Sequence, residues 1–180
     1  MINPFEIIEK YYPVGTEIHY ILVEHSEQVR NKALKIAANH PTLHFDTEFI
    51  SQAAMLHDIG MFRCDAPRIH CHGLHQYIEH GYLGADLLRE EGLPRHALVA
   101  ERHTGVGLSL ETIKRTGLPL PHRDMVPISI EEQLICYADK FYSKTQLEDE
   151  HTLERIRTSL KRFGDAEVAQ FDAWHLLFEG

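Results

Sequence analysis

The chain has 180 residues, 43% of them hydrophobic and 25% charged, a length and balance that suit one domain with one sizeable core. Its formal net charge of −9 argues against a partner that is a nucleic-acid polymer, because such binding rests on Lys and Arg neutralising phosphates. No apolar run is long enough to cross a bilayer, and the opening MINPFEIIEKYY has neither a basic n-region nor an apolar h-region, so the expected address is the cytoplasm, with no membrane partner.

In chain order the sequence reads as helix after helix, without convincing period-two alternation. Asn3-Pro4 followed by Glu6 marks a first helix start, and Pro13 with Gly15 marks its end. Thr16 opens a long helix whose Ile21, Leu22, Val29, Ala33, Ile36 and Ala37 recur at helical spacing until Pro41. His25 lies within it. Asp46 caps TEFISQAAMLHD, which ends at Gly60 and so delivers His57 and Asp58 in its last turn, at a helix end where a site can open.

A loop, MFRCDAPRIHCHGLHQ, leads to a helix from about Tyr77 to Glu91 that carries His80 near its start. Pro94 opens RHALVAERH, with His103 near its end. Ser109 caps a short helix to about Thr116, GLPLPHRDMVP is a loop by its proline content, and Ser129 with Glu132 forms a capping box for IEEQLICYADKFY, which carries Asp139. LERIRTSLKRF, stopped by Gly164, and AEVAQFDAWHLLF close the chain. The expected organisation is a single domain over residues 1–180, with a motif core at about 17–145 and C-terminal helices over 146–180 packing on it. Phe171, Trp174, Leu176 and Phe178 read as core or as a homodimer contact rather than as a base-stacking platform. Cys64, Cys71 and Cys136 are odd in number and widely spaced, which favours reduced, buried thiols over disulfides or structural zinc.

His25, the pair His57-Asp58, His80, His103 and Asp139 form an ordered run of nitrogen and oxygen donors, the set that holds one or two divalent metals. With 14 histidines in the chain, one adjacent His-Asp pair is expected by chance roughly once, so the dipeptide by itself says little. The surroundings say more. The pair extends to His57-Asp58-Ile59-Gly60, follows the apolar run AAML, and precedes two further histidines and then Ala138-Asp139-Lys140.

In that pattern the sequence resembles the HD superfamily of metal-dependent phosphohydrolases, in its HDIG subgroup. The resemblance implies an all-α, HD-domain helical bundle in which His25, His57, Asp58 and Asp139 hold a first metal. It also implies a second metal held by His80 and His103, with Asp58 bridging the two. The expected ions are two divalent metals drawn from Fe, Mn, Zn, Co, Ni or Mg.

The implied chemistry is hydrolysis of a phosphoric ester of a small metabolite, a nucleotide or dinucleotide, by a metal-bound hydroxide, since a bound ion lowers the pKa of its water from about 15.7 towards about 7. Cations are then needed around the developing charge. Arg63, Arg68, Arg102 and Lys140 flank the ligands in sequence, and Lys140 is favoured for phosphate contact. The group His70, Cys71, His72 and His75 mimics no closed zinc pattern and reads as a histidine-rich lid, with His75 a candidate acid for the leaving oxygen. Glu79 is a candidate for acid-base work or for supporting His80. Substrate choice is expected to lie in residues 61–76 and 104–127. Two other readings use the same scaffold, a di-iron oxygenase with the same ligands and a non-catalytic nucleotide-binding sensor. The HDIG extension and Lys140 favour hydrolysis over oxygenation, and the intact ligand set argues against a sensor.

Overall fold

A computed structural model describes residues 2–180. Helix α1 spans Pro4–Tyr11, α2 Glu17–Asn39 and α3 Thr47–Leu56. Helices α4 (His80–Glu90), α5 (Pro94–Arg102), α6 (Leu110–Thr116) and α7 (Ile130–Asp139) follow, and α8 (Leu153–Leu160) and α9 (Asp165–Glu179) complete the bundle. The starts are set locally. Asn3, Thr16, Asp46, Ser109 and Thr152 each accept a hydrogen bond from a backbone N–H of the turn they cap, and Ser129 with Glu132 makes the reciprocal capping box on α7.

Several boundaries differ from the sequence reading. Helix α3 ends at Leu56, so His57 is its C-cap and Asp58 lies in the turn beyond rather than in the last helical turn. His80 opens α4 after a 3-10 turn at Tyr77–Glu79. The histidine-rich loop contains two strands, β1 (Asp65–Ala66) and β2 (Cys71–His72), paired antiparallel. Two residues per strand are too few to display a period of two, and the reversal is made by His70 in the left-handed conformation, φ 58°.

The apolar faces form two clusters, and the long helices pass through both. On α2, Val29, Ala33, Ile36 and Ala37 belong to one cluster, while Ile21 and Leu22 belong to the other. On α3 and its following turn, Phe49, Ile50, Ala53 and Ala54 join the first, whereas Met55, Leu56, Ile59 and Met61 join the second. His25 on α2 and His57-Asp58 after α3 occupy the positions where each chain segment crosses from one cluster to the other. The polar centre therefore lies in the seam between two apolar bodies, and water has little access to it.

The C-terminal helices close the first cluster. Phe171, Trp174 and Phe178 of α9 are buried, while Leu176 is 74% exposed and faces away. Tyr137 of α7 stacks on Phe171 with ring centroids 5.3 Å apart, and its hydroxyl donates to Glu179 at 2.5 Å. Among the described residues, no helix is long and apolar enough to cross a membrane. All three cysteines are buried and free, and burial pushes their thiols up, to about 12 for Cys64 and Cys136 and about 11 for Cys71, which leaves them protonated and unreactive.

Candidate metal centre

Five elements deliver six side chains to one point. His25 comes from mid-α2, His57 and Asp58 from the end of α3, His80 from the first residue of α4, His103 from the C-cap of α5 and Asp139 from the last residue of α7. All six are buried. The two oxygens of Asp58 divide them. Oδ2 lies 3.2 Å from His25 Nε2 and 3.1 Å from His57 Nε2, and Asp139 Oδ1 lies 3.0 and 3.4 Å from the same two nitrogens. Oδ1 of Asp58 lies 3.2 Å from His80 Nε2 and 3.3 Å from His103 Nε2. Two ligand groups thus share one carboxylate, His25, His57, Asp58 and Asp139 on one side and Asp58, His80 and His103 on the other.

The tautomers show what these atoms face. Nδ1 of His57, His80 and His103 reaches the carbonyl oxygens of Ala54, Tyr77 and Ala100 at 2.7, 2.5 and 2.8 Å. A carbonyl can only accept, so each Nδ1 carries a proton and each Nε2 faces inward, as a lone pair on His80 and His103. His80 Nε2 and His103 Nε2 are nevertheless 2.9 Å apart. Two lone pairs that close repel unless a cation or a proton lies between them. Likewise His57 Nε2 and both Asp58 oxygens are buried without a hydrogen bond in good geometry among the described residues. Buried polar atoms are rarely left so, and donors that converge on common space without satisfying one another fit divalent ions.

The charges agree. Burial alone would lower the pKa of His57, yet Asp58 and Asp139 outweigh it and raise the imidazole to about 9. His103, whose burial dominates, falls to about 4. Burial also opposes ionisation of Asp58 and Asp139, but His57 and Lys144 around the first, and Lys140 and His25 around the second, hold both well below the usual carboxylate range.

The ligands are held from behind. The Tyr77 ring stacks on His80 with centroids 4.6 Å apart. Tyr12, fully buried, donates its hydroxyl to Ile59 O at 2.8 Å and accepts from Phe62 N at 3.1 Å, so α1 fastens the turn that follows Asp58. Gly60 in that turn lies against α4 so closely that an added Cβ would sit 2.2 Å from His80 O and 2.4 Å from Gly84 N. This is the physical reason the His-Asp-Ile-Gly run ends in glycine: the backbone of the turn must touch the helix that carries His80.

A cavity of about 550 Å³ opens over His80, His103 and Asp139, with Tyr77, Ile78, Leu118 and Phe163 as apolar walls and Lys140, Lys144 and Arg162 as charged ones. Lys140 Nζ lies 2.5 Å from Asp139 Oδ2 and 3.0 Å from His103 O. His75 and Glu79 are absent from this wall. Their side chains meet each other at 3.3 Å, and Glu79 also accepts from Gln76 N and the Tyr82 hydroxyl, so it caps the approach to α4. Arg102 pairs with Glu132 at 2.8 Å. The residue that sequence reasoning missed is Lys144, whose Nζ lies 2.6 Å from Asp58 Oδ2. It sits in a non-periodic stretch after α7, and no local pattern distinguishes it from a surface lysine.

Comparison with known proteins adds a family to this geometry. The family profile described as "HD domain" matches residues 22–143, which contain all six of these side chains. An uncharacterized protein of Methanocaldococcus jannaschii is 37% identical over 128 residues, covering 69% of this chain and 68% of its own length. Two proteins named tRNA (cytidine(56)-2'-O)-methyltransferase are also similar. The one from Picrophilus torridus is 30% identical over 71% of this chain and 33% of its own length, and the one from Thermoplasma volcanium is 32% identical over 68% and 32%. The match thus spans about a third of each methyltransferase. No solved structure matches.

Proposed function

We propose, from the premise that this chain belongs to the HD-domain family, that it is a metal-dependent phosphohydrolase cleaving a phosphoric ester of a small metabolite, a nucleotide or dinucleotide. The observation that carries the reading is the facing pair of lone pairs on His80 and His103 beside the shared oxygens of Asp58. It calls for a cation beside His80 and His103, and His25, His57 and Asp139 with the other oxygen of Asp58 form a set that would hold a second. Ions bound there would supply an activated water and a charge clamp for phosphoryl oxygens.

The chain's own cations point to the substrate. Without ions, the carboxylates Asp58 and Asp139 are already matched by Lys144 and Lys140. Divalent ions add a surplus of positive charge that an anionic substrate offsets. Burial works against the charge on Lys144, yet Asp58 and Asp139 outweigh it and its pKa rises, so it stays an ammonium near neutral pH. It therefore serves as a phosphate contact and not as a base. Lys140 lines the same wall, and Tyr77, Ile78, Leu118 and Phe163 offer apolar surface for the non-phosphate part of the molecule. The similarity to two proteins named for modifying a cytidine of tRNA supports a nucleotide over other phosphate esters. Methyl transfer is not proposed for this chain.

The test is turnover of phosphorylated metabolites in ¹⁸O-labelled water with oxygen strictly excluded. Activity should persist and the released phosphate should carry one solvent oxygen. Asp58→Ala should lower the rate by several orders of magnitude, because the carboxylate common to both ligand groups is lost. Turnover that requires dioxygen and consumes it in step with substrate would replace this reading with a di-iron oxygenase.

A further inference from the structure

Beside the cavity over the metal centre lies a second one of about 280 Å³, and the two share Gly105, Asp139, Lys140, Lys144, Arg162 and Phe163. The new walls of the second cavity come from α8 and its flanks, with His151, Arg155 and Ser159 among them. These residues, and Arg162 and Phe163 at the junction, lie outside the segment 22–143 that the family profile matches. They belong to the chain's C-terminal region.

The charge of this double cleft runs against the charge of the protein. The chain carries 27 acidic and 18 basic residues, yet the ionisable Asp, Glu, Lys and Arg side chains lining the two cavities are Lys140, Lys144, Arg155 and Arg162 against Asp139 alone. Lys140 and Lys144 are engaged by the ligand carboxylates. Arg155 and Arg162 have no carboxylate within 4.0 Å among the described residues. Arg155 donates to the neutral Gln146 side chain at 3.1 Å, and the Arg162 guanidinium packs on the Phe163 ring, 4.5 Å from its centroid. Both forks are thereby oriented without being neutralised, and a guanidinium fork matches phosphate oxygens in pairs. The His151 Nε2 atom is buried and unpartnered while its Nδ1 lies 3.2 Å from Lys140 O, so this cavity also holds a lone pair free to accept from a ligand hydroxyl.

We propose that the second cavity is an anion subsite, with Arg155 and Arg162 receiving a second phosphate of the same molecule whose reacting phosphoryl group lies at the metal centre. The preferred substrate then carries two separated phosphates on one sugar, which keeps a free hydroxyl. This rests on the phosphohydrolase reading for the position of the first phosphate, but the subsite can be read by binding alone.

The experiment uses metal-loaded full-length protein and calorimetric titration with adenosine 5'-monophosphate and adenosine 3',5'-bisphosphate, on the wild type and on Arg155→Gln with Arg162→Gln. Both arginines are exposed, so the double variant should keep the wild-type melting temperature. The wild type should bind the bisphosphate at least tenfold more tightly than the monophosphate, with the margin shrinking as salt is raised. The double variant should lose that margin. Equal affinity of the wild type for the two ligands would overturn the subsite, as would a preference that survives the double substitution. If the protein hydrolyses neither ligand but keeps the arginine-dependent preference, the subsite stands and the hydrolase reading falls. Hydrolysis of the monophosphate with no preference for the bisphosphate has the opposite meaning.

Discussion

Stripping metal from the protein should destabilise it by an amount that depends on pH, and the sign and size follow from His57. In the metal-free centre this imidazole is buried and raised to about 9 by Asp58 and Asp139, so it carries a proton at neutral pH. A metal can take its Nε2 only after that proton leaves. His103, lowered to about 4, has no proton to give up. Binding therefore releases at least one proton, and below about pH 9 the apparent affinity should fall about tenfold per pH unit, or about 1.36 kcal/mol. A folded-state pKa raised above its unfolded value stabilises the metal-free protein fully below about 6.5, and that contribution is lost as pH rises towards 9. The loaded protein holds His57 neutral throughout and does not share the loss. At a free metal concentration of 100 times the dissociation constant, loading stabilises by about 2.7 kcal/mol, which for a chain of this size raises the melting temperature by about 5 to 11 °C. Two pH units are worth about as much again, so a gap of that size at pH 8.5 should nearly close at pH 6.5 for the same free metal. Melting curves with and without Mn²⁺ at both pH values, with proton release followed in two buffers of different ionisation enthalpy, measure both quantities. A gap that is the same at pH 6.5 and 8.5, with no proton released, would refute the assignment of His57 as a ligand displaced from its proton.

Asp58→Ala should lose all bound metal, whereas His103→Ala should keep the ion held by His25, His57 and Asp139, a difference that metal analysis of the purified variants reads directly. Retention of both ions by Asp58→Ala would show that its carboxylate is not shared. Gly60→Ala should destabilise the fold by about 1 to 3 kcal/mol or more and weaken metal binding as well, because the added methyl would push the turn after Asp58 away from α4 and His80. Denaturant unfolding at the wild-type stability would remove that explanation of the glycine.

The sequence by itself determined the all-α class, the starts of the side-chain-capped helices and the linear order of the donors. Each of these is a local property: caps act within one turn, and helical spacing marks the buried face of α2 whatever lies opposite it. The tertiary structure alone decided which groups meet. His25 and Asp139 are 114 positions apart and touch at 3.0 Å because α2 and α7 pack on the same apolar cluster. Tyr12 reaches the turn after Asp58 from α1, and Lys144 reaches Asp58 from a stretch with no periodicity, so neither left a trace in the pattern. The same holds in reverse for Arg102, adjacent in sequence to His103 but drawn off by Glu132. His75 and Glu79, four residues apart, turn towards each other at the start of α4 and away from the cleft wall. Periodicity tells which side of a helix is buried, but the partner across the seam is chosen by packing between segments far apart in the chain, and that choice placed the cations.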